Sequence, residues 1–129
     1  NINYVDTRNG VGRNFKKGGR TIEIKAKIAW IQLGNVEIEI IEPLDQDNAY
    51  YDYLVSQGPG LHHIMFEPSE FDQCDQQLQE QGHTVIGEGE LQQTRFKLFD
   101  CKEDLGLICE IAEGEPLVPD ALLQEPEDH

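Results

Sequence analysis

Three side chains of this 129-residue sequence have the types and positions that metal or acid–base chemistry requires: His63 and two glutamates, Glu39 and Glu110. Each falls in a run with the two-residue alternation of a β-strand. In residues 61–67, Ile64 and Phe66 read as core and share a face with His62, so His63 points the other way with Met65. In the last such run Leu107, Cys109 and Ile111 share one face and Glu110 lies opposite, with Ile108 and Ala112. In residues 36–42 Glu39 opposes Val36, Ile38 and Ile40. One imidazole and two carboxylates therefore leave the non-core side of three strands. Facing a common concavity, they can hold a divalent cation with positions left open for a substrate. No local motif such as HExxH accompanies them, and spacing alone equally allows three unrelated surface residues. His62 faces the wrong way to join them, His83 sits at a helix end, and His129 is in the tail.

The elements that must position these residues are mostly strands. Residues 2–7 read as a short extended piece, and 10–19, rich in Gly, Asn and Lys, as a long turn. Residues 21–33 alternate as a strand, Gly34-Asn35 makes a tight turn, and the strand over 36–42 stops at Pro43. A short helix is expected over 48–55, capped by Asp45 or Asp47 and broken at Gly58-Pro59-Gly60. A strand at 61–67 then leads into a helix from Pro68-Ser69 to Gln81, with Ser69 as N-cap and Phe71, Cys74 and Leu78 on one side. Strands follow at 84–86, 94–100 and 106–112, the first two joined by a loop around Gly87–Gly89. Leu33-Gly34 leads into E-I-I-E and Leu105-Gly106 into E-I-A-E, a weak internal repeat. The pattern predicts an α+β fold and fits two copies of one βαβββ module, each closing with a carboxylate-bearing strand. The divisions are a partial first module at 1–43, a connector helix and loop at 44–60, a second module at 61–113 and an acidic tail at 114–129.

Composition narrows the function classes. Ten Lys and Arg against 25 Asp and Glu give a formal charge of −15, which excludes the net basic footprint of a nucleic-acid binder. No apolar run reaches the length of a transmembrane helix, and no charged-then-apolar signal segment is present, so no membrane partner is expected. The chain begins with Asn1, as expected of a processed product or of a chain lacking its natural start. An odd number of cysteines without CxxC spacing (Cys74, Cys101, Cys109) reads as reduced thiols in a cytoplasmic protein. Residues 1–30 carry a balance of +5 and the remaining 99 residues −20. The basic stretch is either a solvated hairpin lying against an acidic body or a loop whose Lys16, Lys17 and Arg20 grip an anionic substrate. Residues 113–129, with six acids and three prolines, suit a loosely attached tail.

The runs L-G-N-V-E-I-E-I-I-E-P-L-D, G-L-H-H-I-M-F-E and G-L-I-C-E-I resemble the vicinal oxygen chelate superfamily, and within it the methylmalonyl-CoA epimerase and glyoxalase-like branch. The similarity covers residues 20–113, and the His-His-Ile run is its most specific part. It implies paired βαβββ modules, a curled mixed sheet around a cleft that holds a divalent metal, with ligands from the first and last strands of each and with the first module here lacking its first strand and helix. By position Glu39, His63 and Glu110 match such ligands, the same three residues that alternation selects. The resemblance further implies a lyase or isomerase using Co, Ni, Zn or Mn on a small acyl thioester or a hemithioacetal. Glu110 would be the base that removes a proton next to a carbonyl, and Glu39 the second candidate. The competing class is a non-catalytic, antibiotic-sequestering protein of the same fold, while iron ring-cleaving dioxygenases have longer chains and fit the H-H-I context less well. One departure stands out: His63 precedes Glu110 by 47 residues, and the same distance back from Glu39 falls before residue 1. The strand and helix expected there, with their histidine, belong to a longer protein, come from a partner, or are lost. The sheet edge left unpaired favours a homodimer.

Overall fold

Two hairpins built alike carry the two glutamates. In the computed structural model, which describes residues 3–120, β4 (Ala26–Leu33) and β5 (Val36–Pro43) pair antiparallel with Trp30 opposite Glu39. Strands β8 (Thr94–Cys101) and β9 (Leu107–Gly114) pair in the same sense with Leu98 opposite Glu110. Between the hairpins lie α1 (Ala49–Gln57), β6 (His63–Phe66), α2 (Phe71–Glu80) and β7 (Thr84–Leu91). Before them come β1 (Asn3–Asp6), β2 (Gly12–Lys17) and β3 (Arg20–Thr21); α3 (Lys102–Leu105) links β8 to β9. A three-stranded sheet has the order β1-β4-β5, and a six-stranded sheet the order β3-β2-β7-β8-β9-β6, with β6 parallel to β9. The architecture is the expected α+β one.

The second module is covered on one face. Phe99, Cys101, Cys109 and Ile111 are buried beneath α2, whose Phe71, Cys74 and Leu78 pack onto them. Two cations on β8 fasten the helix: Arg95 donates to Asp72 at 2.9 Å and Lys97 to Asp75 at 2.6 Å. The first hairpin differs. Its core, formed by Val5, Ala26, Ile28 and Leu91 with Trp30 and Ile41 against it, lies on the same face as Glu39. Val36, Ile38 and Ile40, expected to be core, are 57%, 43% and 52% exposed because no described helix crosses that face. Ile64 and Phe66 are likewise exposed, since β6 is the edge strand of its sheet.

Several boundaries shift for identifiable reasons. The stretch read as a long turn contains β2, which pairs with β7, and the loop around Gly87–Gly89 is part of that same strand β7. Phe15 explains both: its buried ring lies over Gly12 and Gly89, where a Cβ on either glycine would collide with it. Strand β4 starts at Ala26 rather than at residue 21. Helix α1 is capped by Asn48, whose Oδ1 accepts from the Tyr50 amide at 2.9 Å, and not by Asp45 or Asp47. Ser69 does not cap α2; Glu70 holds the cap position without a side-chain bond. The tail is not loose over its described part. Asp120 is buried and accepts from the Asp6 amide at 2.9 Å and from Asn9 at 2.8 Å. Residues 121–129 lie outside the described residues.

Candidate metal centre

Strand phase brings the three acid–base side chains together. β6 is hydrogen-bonded alongside β9 with Met65 opposite Glu110 and His63 opposite Ile108, so His63 and Glu110 leave the same side of the sheet. β5 delivers Glu39 to that side from the other hairpin. His63 Nε2 lies 3.5 Å from Glu110 Oε2 and 4.0 Å from Glu39 Oε1. The His63 and Glu110 side chains are each 9% exposed, whereas Glu39, on the open edge strand, keeps 30%.

The electrostatics follow from crowding two carboxylates around one imidazole. Burial of its carboxylate end, and next the like charge of Glu110, push Glu39 up to about 7, against a smaller pull from His63. For His63, burial opposes the imidazolium form, but the hydrogen bond to Glu110 and the charges of both glutamates outweigh it, leaving its pKa raised. Tyr50 reaches in from α1. Burial, and after it the charges of Glu110 and Glu39, hold its phenol above the ordinary tyrosine range. Two carboxylates and one imidazole form a donor set short of positive charge, which suits a cation in kind. Among the described residues, no three His, Cys, Asp or Glu side chains already close around one ion-sized point. The wider of the two separations, His63 to Glu39, is where the set stays open.

His62 is the residue that sequence reasoning set aside. It precedes β6, so strand alternation does not govern its direction. Instead of following Ile64 and Phe66, its ring packs against Tyr50 and Tyr53 from α1, with both centroid distances 5.0 Å. Its Nδ1 lies 2.9 Å from Nδ1 of His63. Burial, followed by the nearby charges of His63 and Lys102, lowers His62 to about 4. The Tyr53 hydroxyl donates to the Leu61 carbonyl at 2.6 Å and pins the approach to β6. The helical spacing of Tyr50 and Tyr53 was the available signal that α1 turns these rings to one side.

The basic residues of the first strands sit apart from this trio. Lys17 pairs with Asp52 and Asp47, and Arg20 holds both oxygens of Asp47 at 2.9 Å, so β2 and β3 are tied to the start of α1. Lys16 is exposed, opposite Glu88 in register. Two surface hollows, one lined by residues such as Asn14, Glu88 and Arg95 and the other by residues such as Tyr4, Arg8 and Asp120, include none of the trio.

Comparison with known proteins agrees with this architecture. The sequence profile of the Glyoxalase/Bleomycin resistance protein/Dioxygenase superfamily matches residues 5–97. The uncharacterized protein YqjC of Bacillus subtilis is 40% identical over 58 residues, which are 45% of this chain and 41% of that protein. This chain thus spans less than half the length of the curated relative it matches. Among solved structures, a hypothetical protein of Bacillus halodurans C-125 is similar with a TM-score of 0.57 and 21% identity, covering 72% of this chain and 70% of that one. Methylmalonyl-CoA epimerase from Mycobacterium tuberculosis gives a TM-score of 0.53 and 20% identity, covering 72% and 64%. The Streptomyces coelicolor epimerase in complex with 2-nitronate-propionyl-CoA gives 0.54 and 18%, covering 72% and 71%. At these identities the solved structures speak for the fold. With two like hairpins, a β6–α2–β7–β8–β9 unit and a profile match over most of its length, the chain belongs to the glyoxalase/bleomycin resistance/dioxygenase, or vicinal oxygen chelate, superfamily.

Proposed function

We propose that this chain is a divalent-metal-dependent lyase or isomerase of the glyoxalase or methylmalonyl-CoA epimerase type, acting on a small acyl thioester or a hemithioacetal. The observation that carries the proposal is the approach of His63 Nε2 to carboxylates from both hairpins, 3.5 Å to Glu110 and 4.0 Å to Glu39. These three residues would hold the metal, and Co, Ni, Zn and Mn all accept such donors. When bound, the cation supplies positive charge for a carbonyl oxygen on which negative charge develops. Glu110, buried and fixed in the middle of β9, is the base: its carboxylate takes the proton from the carbon next to the carbonyl and becomes the acid. Glu39, the other carboxylate beside His63, is the second candidate for that role. Tyr50 and Tyr53 wall the site on the α1 side. Lys16 can meet a phosphate or carboxylate of the substrate directly, whereas Lys17 and Arg20 must first exchange Asp47 and Asp52 for it.

The fold likeness to epimerases solved with 2-nitronate-propionyl-CoA or methylmalonyl-CoA supports the substrate class. The three free cysteines suit a reducing cytoplasm, and no helix among the described residues is long and apolar enough to cross a membrane. The open edge of β5 and its bare apolar face support a homodimer. A second reading, a non-catalytic small-molecule binder, is favoured by the donor trio standing open towards Glu39. The test is elemental analysis of the purified chain, then deuterium exchange from D2O into acyl-CoA and hemithioacetal substrates after loading with each metal. One ion per chain with exchange above the metal-free background is expected. A chain that neither retains nor takes up metal, yet binds such ligands, would establish the second reading instead.

A further inference from the structure

We propose that His62 is a positioning residue for His63 when a cation is bound: its Nδ1 accepts the Nδ1–H of His63, leaving the His63 Nε2 lone pair aimed between Glu110 and Glu39. The proposal rests on the metal-site reading above and assigns that site a partner outside its donor trio. Two ring nitrogens 2.9 Å apart cannot both carry a hydrogen on the line between them, so one donates and the other accepts. If His62 donated, His63 would carry its hydrogen on Nε2, pointing at the carboxylates, and would have no lone pair for a cation. If His63 donates, its Nε2 is free and its ring is held in place by the bond at the opposite nitrogen. Metal-ligating histidines are generally oriented in this way, through a partner on the nitrogen that does not bind the ion.

Three contacts fix His62 for this role. Its ring stands perpendicular to that of His63, at 90° with centroids 5.1 Å apart, which directs nitrogen towards nitrogen rather than stacking the faces. Tyr50 lies against it at a tilt of 55° and Tyr53 meets it nearly edge-on at 78°. The Tyr53 hydroxyl anchors the preceding backbone at Leu61, so neither the ring nor its attachment is free to swing. An imidazole held by α1 therefore sets the direction of a ring on β6, and the connector helix takes part in the site without supplying a ligand.

The direct test is long-range 1H–15N correlation on the Zn2+-loaded protein at pH 8.5, where ring hydrogens can be assigned. His63 should carry its hydrogen on Nδ1 and His62 on Nε2; the reverse pair of tautomers would overturn the proposal. A second measurement uses Co2+ alone as probe. His62→Phe keeps the ring between the tyrosines but removes the acceptor, and should weaken Co2+ binding by about 10- to 100-fold. His62→Asn offers an oxygen acceptor and should recover most of that loss. Thermal melts of both variants establish that each folds. Co2+ affinity and His63 tautomer unchanged in a folded His62→Phe protein would also sink the proposal. If the native chain takes up no Co2+ at all, the metal reading fails and this proposal with it, whereas metal uptake with the His62 hydrogen on Nδ1 sinks this proposal alone.

Discussion

The two glutamate-bearing hairpins share a register and a weak sequence repeat, yet they live in different surroundings. Strand β9 has a parallel neighbour, β6, on one side and β8 on the other, with α2 packed over Cys109 and Ile111. Strand β5 has β4 alone, and its apolar residues Val36, Ile38 and Ile40 face outward. The difference teaches that strand alternation decides which residues share a face but not which face is covered. Covering depends on a second element: α2 lies over the face of β9 opposite Glu110, whereas no described element covers the face of β5 opposite Glu39. The same difference divides the site: Glu110 is held rigidly within a covered sheet, and Glu39 stands at an open edge.

The comparison breaks most visibly in stability. Phe99→Ala, beneath α2, should cost about 3–5 kcal/mol, because it leaves a cavity where no neighbour can collapse. Ile38→Ala, on the bare face, should change the stability of the monomer, at concentrations where any dimer has dissociated, by no more than about 0.5 kcal/mol. Denaturant titration of both variants checks this, and a large loss for Ile38→Ala would mean that something covers β5 in solution. Next in size is the effect on metal. His63→Ala should abolish metal retention while the melt stays cooperative; full occupancy in that variant, read by elemental analysis, would place the site elsewhere.

The two glutamates then separate by role. Glu110→Gln should remove proton exchange far more than ligand binding, and an equal loss of both would deny it the part of base. Glu39 carries a pH dependence instead. Its folded pKa of about 7 stands above the 4.5 of the free carboxyl, so its contribution favours the fold below 4.5 and is lost as pH rises through 7. Stability of the metal-free protein should fall across that window, and Glu39→Gln should flatten the fall, as pH-resolved denaturation would reveal. The smallest effect belongs to the basic strands. Neutralising Lys17 removes exposed ion pairs worth about 0–1 kcal/mol and should barely move the melting temperature.

Much of the fold and trio could be read from the sequence because β-strands write their period plainly. Alternation puts His63 and Glu110 on one side, and His63 Nε2 lies 3.5 Å from Glu110 and 4.0 Å from Glu39, but Glu39 shares its face with the core of its hairpin instead of opposing it. What stayed hidden has local causes. β2 lies in a Gly- and Lys-rich stretch whose only buried residue is Phe15, and the partner glycines, Gly12 and Gly89, resemble turn residues until a ring lies across them. His62 was misdirected by starting the strand at residue 61, two residues before it begins. The bare face of β5 carries the same residue types as a covered one, so nothing in its letters distinguishes the two.

The buried carboxylate of Asp120 has a consequence for the order of assembly. Its bond to the Asp6 amide joins positions 114 residues apart, the longest reach among the described side-chain bonds. Closing a loop of that length is entropically costly until both sheets already hold its ends near one another. The link is therefore a late event in folding and an early one in unfolding. The Asp6 amide should exchange its hydrogen well before the amides of β8 and β9, making one backbone position a gauge of how firmly the first strand is moored.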